Sequence, residues 1–283
     1  MILNSIKTTL LLGGLAGLFM GFGYLIGSRT GLIIGFALAM IINFASFWFS
    51  DKIVLRMYNA KEVGKEHKLY RIVHELAHKA QLPMPKTYII QAPSPNAFAT
   101  GRSPKHAAVA ATESLLHLLS EEEVKGVMAH ELSHIKHRDT LIQTLAVGIA
   151  SAIGMIAEMF QWMAIFGFGG DDEDGGVGGL FGVLVLAILT PIIATIIQLA
   201  ISRQREYMAD AGATKLLKTP EPLISALQKL ETAARNPHSF HASATPTESL
   251  FIVNPFRGSS IASLFSTHPS TKSRIEAMQK LKA

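Results

Sequence analysis

Apolar residues in this chain come in long uninterrupted blocks, and the blocks have the length of membrane spans. Residues Thr8 to Gly27 and Gly31 to Phe49 carry no charged side chain, and each matches the roughly 20 residues a bilayer-spanning helix needs. Only Ser28, Arg29 and Thr30 join them, which predicts a tight helical hairpin. Gly13, Gly17 and Gly21 recur at four-residue steps, as do Gly23 and Gly27, and predict small-residue faces for close helix contact. A third block runs from Leu141 to about Gly167 and a fourth from Leu180 to Ile201. Glu158 lies about 20 residues past Arg138, roughly 30 Å along a helix, so it and Trp162 suit the far interface. Pro191 and Gln198 in the fourth block require cover from neighbouring helices. The alternative for the first block is a cleaved signal peptide, which its length and the second block right behind it disfavour. For the third and fourth blocks the alternative is buried core helices or a hairpin only partly in lipid.

Between the blocks the pattern changes to amphipathic. Leu69, Ile72, Val73, Leu76 and Ala80 fall on one helical face, and Pro83 and Pro85 stop that helix. Ser120 followed by Glu121, Glu122 and Glu123 is a capping box, and Val124, Val127, Met128, Leu132 and Ile135 give the helix it starts an apolar face. This helix is expected to run on without interruption into the third block. Thr87 to Gln91, Asn96 to Ala99 and Ala107 to Thr112 predict a small antiparallel sheet with residues 96 to 99 on its edge. Residues 236 to 266 have a loop composition, with Pro237, Pro246 and Pro255, but the apolar run Leu250 to Val253 suits a lid or a dip toward lipid. The organisation expected is a transmembrane hairpin (1–50), a first part of a soluble domain (51–140), a second transmembrane hairpin (141–201) and the rest of the soluble domain (202–283).

Composition sharpens this. With 49% hydrophobic and 17% charged residues among 283, and a mean hydropathy of +0.31, the chain is too apolar for a soluble protein of this length. Its pI near 9.4 raises nucleic-acid binding, but the basic residues follow the apolar blocks and do not form one patch. Lys52, Arg56, Lys61, Lys65, Lys68 and Arg71 follow the second block, and Lys136, Arg138, Arg203 and Arg205 flank the third and fourth. The loops between paired blocks carry Arg29 alone, or the acidic run Asp171 to Asp174. By the positive-inside rule both termini and residues 51 to 140 face the cytoplasm. Protein substrates and the lipid bilayer are the partners expected, with no nucleic acid and no nucleotide.

The chain has no cysteine, so a metal here must be held by imidazole and carboxylate. His130-Glu131-Leu132-Ser133-His134 puts two imidazoles one turn apart on the capped helix, with Glu131 beside the open position of a shared zinc. Past the fourth block, Glu206 and Asp210 are one helical turn apart, so one carboxylate suits a metal and the other a ligating imidazole. Taken alone, such a pair is a solvated face; the upstream motif favours the ligand reading. His74-Glu75-Leu76-Ala77-His78 has the same H-E-x-x-H pattern but reads as the polar face of the amphipathic helix. His238 and His241 read as solvated loop residues.

These residues, with Met84-Pro85-Lys86, Asn96 to Gly101, His130 to Asp139, Arg205 to Asp210, His268-Pro269 and Arg274, make the chain resemble the HtpX-type membrane metalloproteases. They form the heat-shock branch of the gluzincins, which also include the CAAX prenyl endopeptidases. The resemblance implies a mainly α membrane protein with four transmembrane helices and a cytoplasmic α+β zinc protease domain. It implies one zinc on His130, His134 and Glu206, Glu131 as general base, and turnover of damaged or misfolded membrane proteins at the inner membrane. His268 and Asn96 become candidates for stabilising the oxyanion, and Asn96, Ala97, Phe98 and Ala99 for pairing with substrate. A prenyl-protein processing protease and a non-catalytic membrane metal-binding protein are the alternatives. The first needs more spans, and the second has no use for Glu131.

Overall fold

A computed structural model describes residues 2–146, 149, 203–234 and 269–281. The fourth apolar block, most of the third, the acidic loop, the 236–266 loop, His238, His241 and His268 lie outside them. The chain opens with α1 (Ile2–Trp48), which breaks at Gly27 and at Ser28 (φ 52°) into two arms. Large apolar side chains cover its outside, with Ile33, Ile41 and Phe44 more than 60% exposed. Among the described residues one segment, Gly27–Trp48, is long and apolar enough to cross a membrane.

The arms do meet on glycine, but of the glycines expected only Gly23 takes part. A Cβ on Gly23 would run into the Gly31 carbonyl, and one on Gly35 into the Phe19 carbonyl, whereas at Gly13, Gly17, Gly21 and Gly27 it would meet nothing within 4 Å. The turn at Ser28 decides which residues face the return arm, and local four-residue spacing carries no information about that. Asn43 adds a tie, donating to the Leu12 carbonyl at 3.0 Å.

After α1 come α2 (Ser50–Met57), β1 (Lys61–Glu62), α3 (Lys68–Ala80), β2 (Lys86–Ile90), β3 (Ala97–Gly101), a 3₁₀ turn (Pro104–His106), β4 (Ala107–Thr112) and α4 (Glu113–Leu118). The chain continues with α5 (Glu121–His137), α6 (Arg203–Leu217), α7 (Glu221–Ala234) and α8 (Thr271–Lys280). The sheet order is β1-β2-β4-β3. The sheet is mixed, not antiparallel: β4 is antiparallel to β3 but parallel to β2, pairing Tyr88 with Ala110. The sequence of β4 accounts for this. Its residues Ala-Ala-Val-Ala-Ala-Thr are all buried, as in a central strand covered on both faces. Ala107, Val109 and Ala111 pack with α3 and α5, while Ala108 and Ala110 join Phe98, Val54 and Leu55 on the α2 side. Gly101 (φ +124°) makes the turn out of β3, where a side chain would strike His106.

The turn after β3 is tied to both apolar elements. Arg102 donates to the Trp48 carbonyl at 2.8 Å and lies 4.5 Å over its ring. Thr140 donates to the Gly101 carbonyl at 3.0 Å, and Thr144 sits 3.0 Å from Thr100. At the head of α5 the capping box forms as expected, with Glu123 also accepting from Ser225 at 2.6 Å and Lys229 at 2.8 Å of α7. α5 does not run on into the third block. It ends at Arg138 (φ 59°), Asp139 N–H returns to the His134 carbonyl at 3.0 Å, and helix resumes at Thr140.

Candidate metal centre

α5 carries three of the candidate groups because residues one turn apart share a face. His130 and His134 are both under 4% exposed, with their Nε2 atoms 3.1 Å apart. α6 crosses α5 closely, since Gly212 has no side chain to strike Ser133, and its first turn delivers Glu206. The Glu206 Oε2 atom lies 3.6 Å from His130 Nε2, and its Oε1 lies 3.5 Å from His134 Nε2. The three donors fall within 4.8 Å of one another. Ligand atoms 2.0–2.1 Å from a tetrahedral zinc are about 3.3 Å apart, so this donor set fits that ion.

The outer atoms of each imidazole are also held. Asp210 Oδ1 is 2.9 Å from His130 Nδ1. Arg274, on α8 and 1% exposed, grips the same carboxylate from Nη2 at 2.6 Å and Nε at 2.8 Å. Its Nη1 lies 3.7 Å from Glu206. Asp139 Oδ2 sits 3.4 Å from His134 Nδ1, and Asp139 Oδ1 sits 3.4 Å from Arg205 Nε. The break at Arg138 makes this contact possible, because an uninterrupted helix would turn residue 139 about 140° away from residue 134.

The electrostatics suit a cation. Burial works against the charged form of His130, but hydrogen bonds to Asp210 and Glu206 outweigh it and lift its pKa to about 9. Burial also pushes the Asp210 carboxyl up, but Arg274 and His130 more than reverse this and hold it below the usual carboxylate range. Glu131 goes the other way. Burial, with a smaller push from Glu206, raises its pKa against the pull of His130, His134 and the Ala99 N–H. A carboxyl raised in this way holds a proton more readily than an ordinary glutamate, which suits a group that must take one up and pass it on.

The Ala99 hydrogen bond brings the sheet edge into the site. Thr112 N–H donates to the Asn96 carbonyl at 2.9 Å, so by strand alternation Phe98 and Thr100 also bond toward β4, while Ala97 and Ala99 present their backbone outward. Asn96 is buried at the strand's entry, its N–H donating to Thr112 Oγ1 at 2.9 Å. His74, Glu75 and His78 lie on the exposed face of α3, and among the described residues only His130, His134 and Glu206 form a metal-binding group.

Residues 64–282 match the model of peptidase family M48. The chain belongs to that family. It is 51% identical over 283 residues to "Protease HtpX homolog" of Persephonella marina, covering 99% of this chain and 98% of that protein. It is 49% identical to the protein of the same name from Pyrococcus furiosus, covering 98% of this chain and 95% of the relative. "Protease HtpX" of Legionella pneumophila is 45% identical over 99% of both. The crystal structure of S. mikatae Ste24p shares the fold, with a TM-score of 0.53 at 18% identity over 98% of this chain; the chain spans 65% of the Ste24p length. As a member of family M48 and a relative of the HtpX proteases, the chain is a metalloprotease. Sequence reasoning gave no role to Arg274, Asp139 or Arg205. All three lay inside segments that carried the family resemblance, and for Arg274 an arginine in an otherwise serine- and lysine-rich helix start was the available signal.

Proposed function

We propose that this M48 peptidase is a membrane-integrated endopeptidase that hydrolyses damaged or misfolded membrane proteins, with one zinc on His130, His134 and Glu206. The observation that carries the reading is the closeness of the three buried donors with Glu131 next to them on the same helix. When bound, zinc supplies Lewis-acid polarisation of the scissile carbonyl and acidifies water. Glu131 takes the proton of the attacking water on its carboxylate and delivers it to the leaving nitrogen, a task its raised pKa favours. Asp210 and Asp139 accept from the Nδ1 atoms, which aims each Nε2 inward at the position a zinc would take. Arg274 holds Asp210 in place and offsets the charge of two buried carboxylates.

An extended substrate pairs with the outward backbone of Ala97 and Ala99, as edge strands do with peptides. Asn96 precedes that stretch and Phe98 lies within it, and Asn96 and His268 are the candidates for stabilising the oxyanion. The two blocks outside the described residues complete four spans, with the protease domain and both termini in the cytoplasm. The exposed apolar surface of α1 supports the membrane placement, and the basic residues that follow the second block support the orientation. A buried base next to the donors has no part in a non-catalytic metal store. The test is casein cleavage by detergent-purified protein, with zinc and after chelation. Cleavage that requires zinc and returns on its addition is expected; cleavage indifferent to chelation would overturn the proposal.

A further inference from the structure

The face of α5 opposite the metal donors borders a second feature that the peptidase chemistry does not use. A groove of about 880 Å³ lies between α3, α5 and α6, with Leu132 and Leu216 among its apolar walls. Five lysines line it, and two of them are neutralised: Lys79 by Glu75 at 2.6 Å and Lys125 by Glu122 at 2.7 Å. Among the described residues Lys136, Lys215 and Lys218 make no ion pair. Three ammonium groups with no ion-pair partner among the described residues, one on α5 and two at the end of α6, therefore face one concavity, whose volume suits a small organic ligand.

We propose that this groove binds the phosphate of an anionic phospholipid headgroup. Lysine ammonium groups are point-charge donors suited to a phosphodiester, and the apolar walls suit the glycerol carbons beside it. Location selects lipid over free phosphate or an acidic peptide. The α5 wall of the groove ends at His137, four residues before Leu141, where the third apolar block begins. Four residues span about 6 Å at the helical rise, with the break at Arg138 between them. This step rests on the membrane reading above. The anionic lipids of a cytoplasmic leaflet would then lie within reach of Lys136, and the lysines on α6 share the same concavity.

The test uses the full chain in detergent, titrated with phosphatidylglycerol or phosphatidylcholine and followed by native mass spectrometry. Phosphatidylglycerol should bind more tightly, and Lys136→Gln, Lys215→Gln and Lys218→Gln should each weaken it about five-fold, the effect of one basic residue at an anionic surface. Lys61→Gln on β1 should change nothing, and unaltered zinc content in each variant would show that the fold is intact. Equal affinity for the two lipids, or a triple variant that keeps the preference, would overturn the proposal. So would displacement of the lipid by inorganic phosphate or an acidic peptide at matching concentration. A chain that stays soluble and monodisperse without detergent would instead sink the membrane reading on which the proposal depends.

Discussion

Asp210→Asn isolates the contribution of the groups behind the metal donors. The substitution keeps the side-chain shape and leaves one oxygen for His130 Nδ1, now 2.9 Å away. It removes the charge that Arg274 grips at 2.6 and 2.8 Å, and the new amide sets a donor against the guanidinium. Loss of such a supporting carboxylate lowers metal affinity about 10- to 100-fold. Stability of the metal-free protein suffers separately. Breaking a buried pair by removing one partner costs about 3–5 kcal/mol, and the low end applies because Glu206, 3.7 Å away, still faces Arg274. Zinc affinity by chelator competition and denaturant unfolding of the metal-free protein measure the two effects. Adding Arg274→Met removes the stranded charge, so the double variant should be more stable than Asp210→Asn alone. Zinc affinity within two-fold of wild type, or a double variant no more stable than the single, would refute the reasoning.

In the metal-free protein the His130 pKa is raised from 6.5 to about 9, so the stabilisation is complete below pH 6.5 and is lost as pH rises through 9. This corresponds to about 3 kcal/mol. Because zinc needs the neutral imidazole, the gap in Tm between zinc-loaded and metal-free protein should widen from pH 6.5 to 9, and thermal scans across that range check it. Glu123, held near a pKa of about 2 by Lys229, Ser225 and the Ser120 N–H against the opposing push of burial, stabilises the fold above pH 4.5 and loses this as pH falls toward 2. Glu123→Gln should cost about 2 kcal/mol at pH 7 and nothing near pH 2, by denaturant unfolding in each buffer. Gly35→Ala should separate the arms of α1, where its Cβ would strike the Phe19 carbonyl, and lower Tm in detergent; Gly17→Ala, where nothing lies within 4 Å, should leave Tm within a degree or two.

The H-E-x-x-H motif and its capping box were legible because helix geometry is local: a Ser-x-x-Glu start fixes the register, and the register fixes which side chains share a face. The edge position of residues 96 to 99 was legible too, but the sheet direction was not. An alanine-rich strand such as β4 has no alternation of polar and apolar residues to show which neighbours it has. Asp139 escaped because the pattern of residues 124 to 135 gave no sign of a helix break, and Arg138 adopts a left-handed conformation there without glycine. Arg274 escaped because its partners, Asp210 and Glu206, are more than sixty residues away in the chain. The two H-E-x-x-H copies separate by burial. His74 and His78 face solvent, while His130 and His134 are enclosed with Glu206.

The most direct test of the account is Glu131→Gln, assayed for bound zinc and casein cleavage on the same preparation. The amide keeps an oxygen for the Ala99 N–H and leaves His130, His134 and Glu206 untouched, so zinc should remain near one per chain. Cleavage should fall by at least about 100-fold, the usual contribution of a positioned base. Full zinc occupancy with cleavage near the wild-type rate would contradict the account.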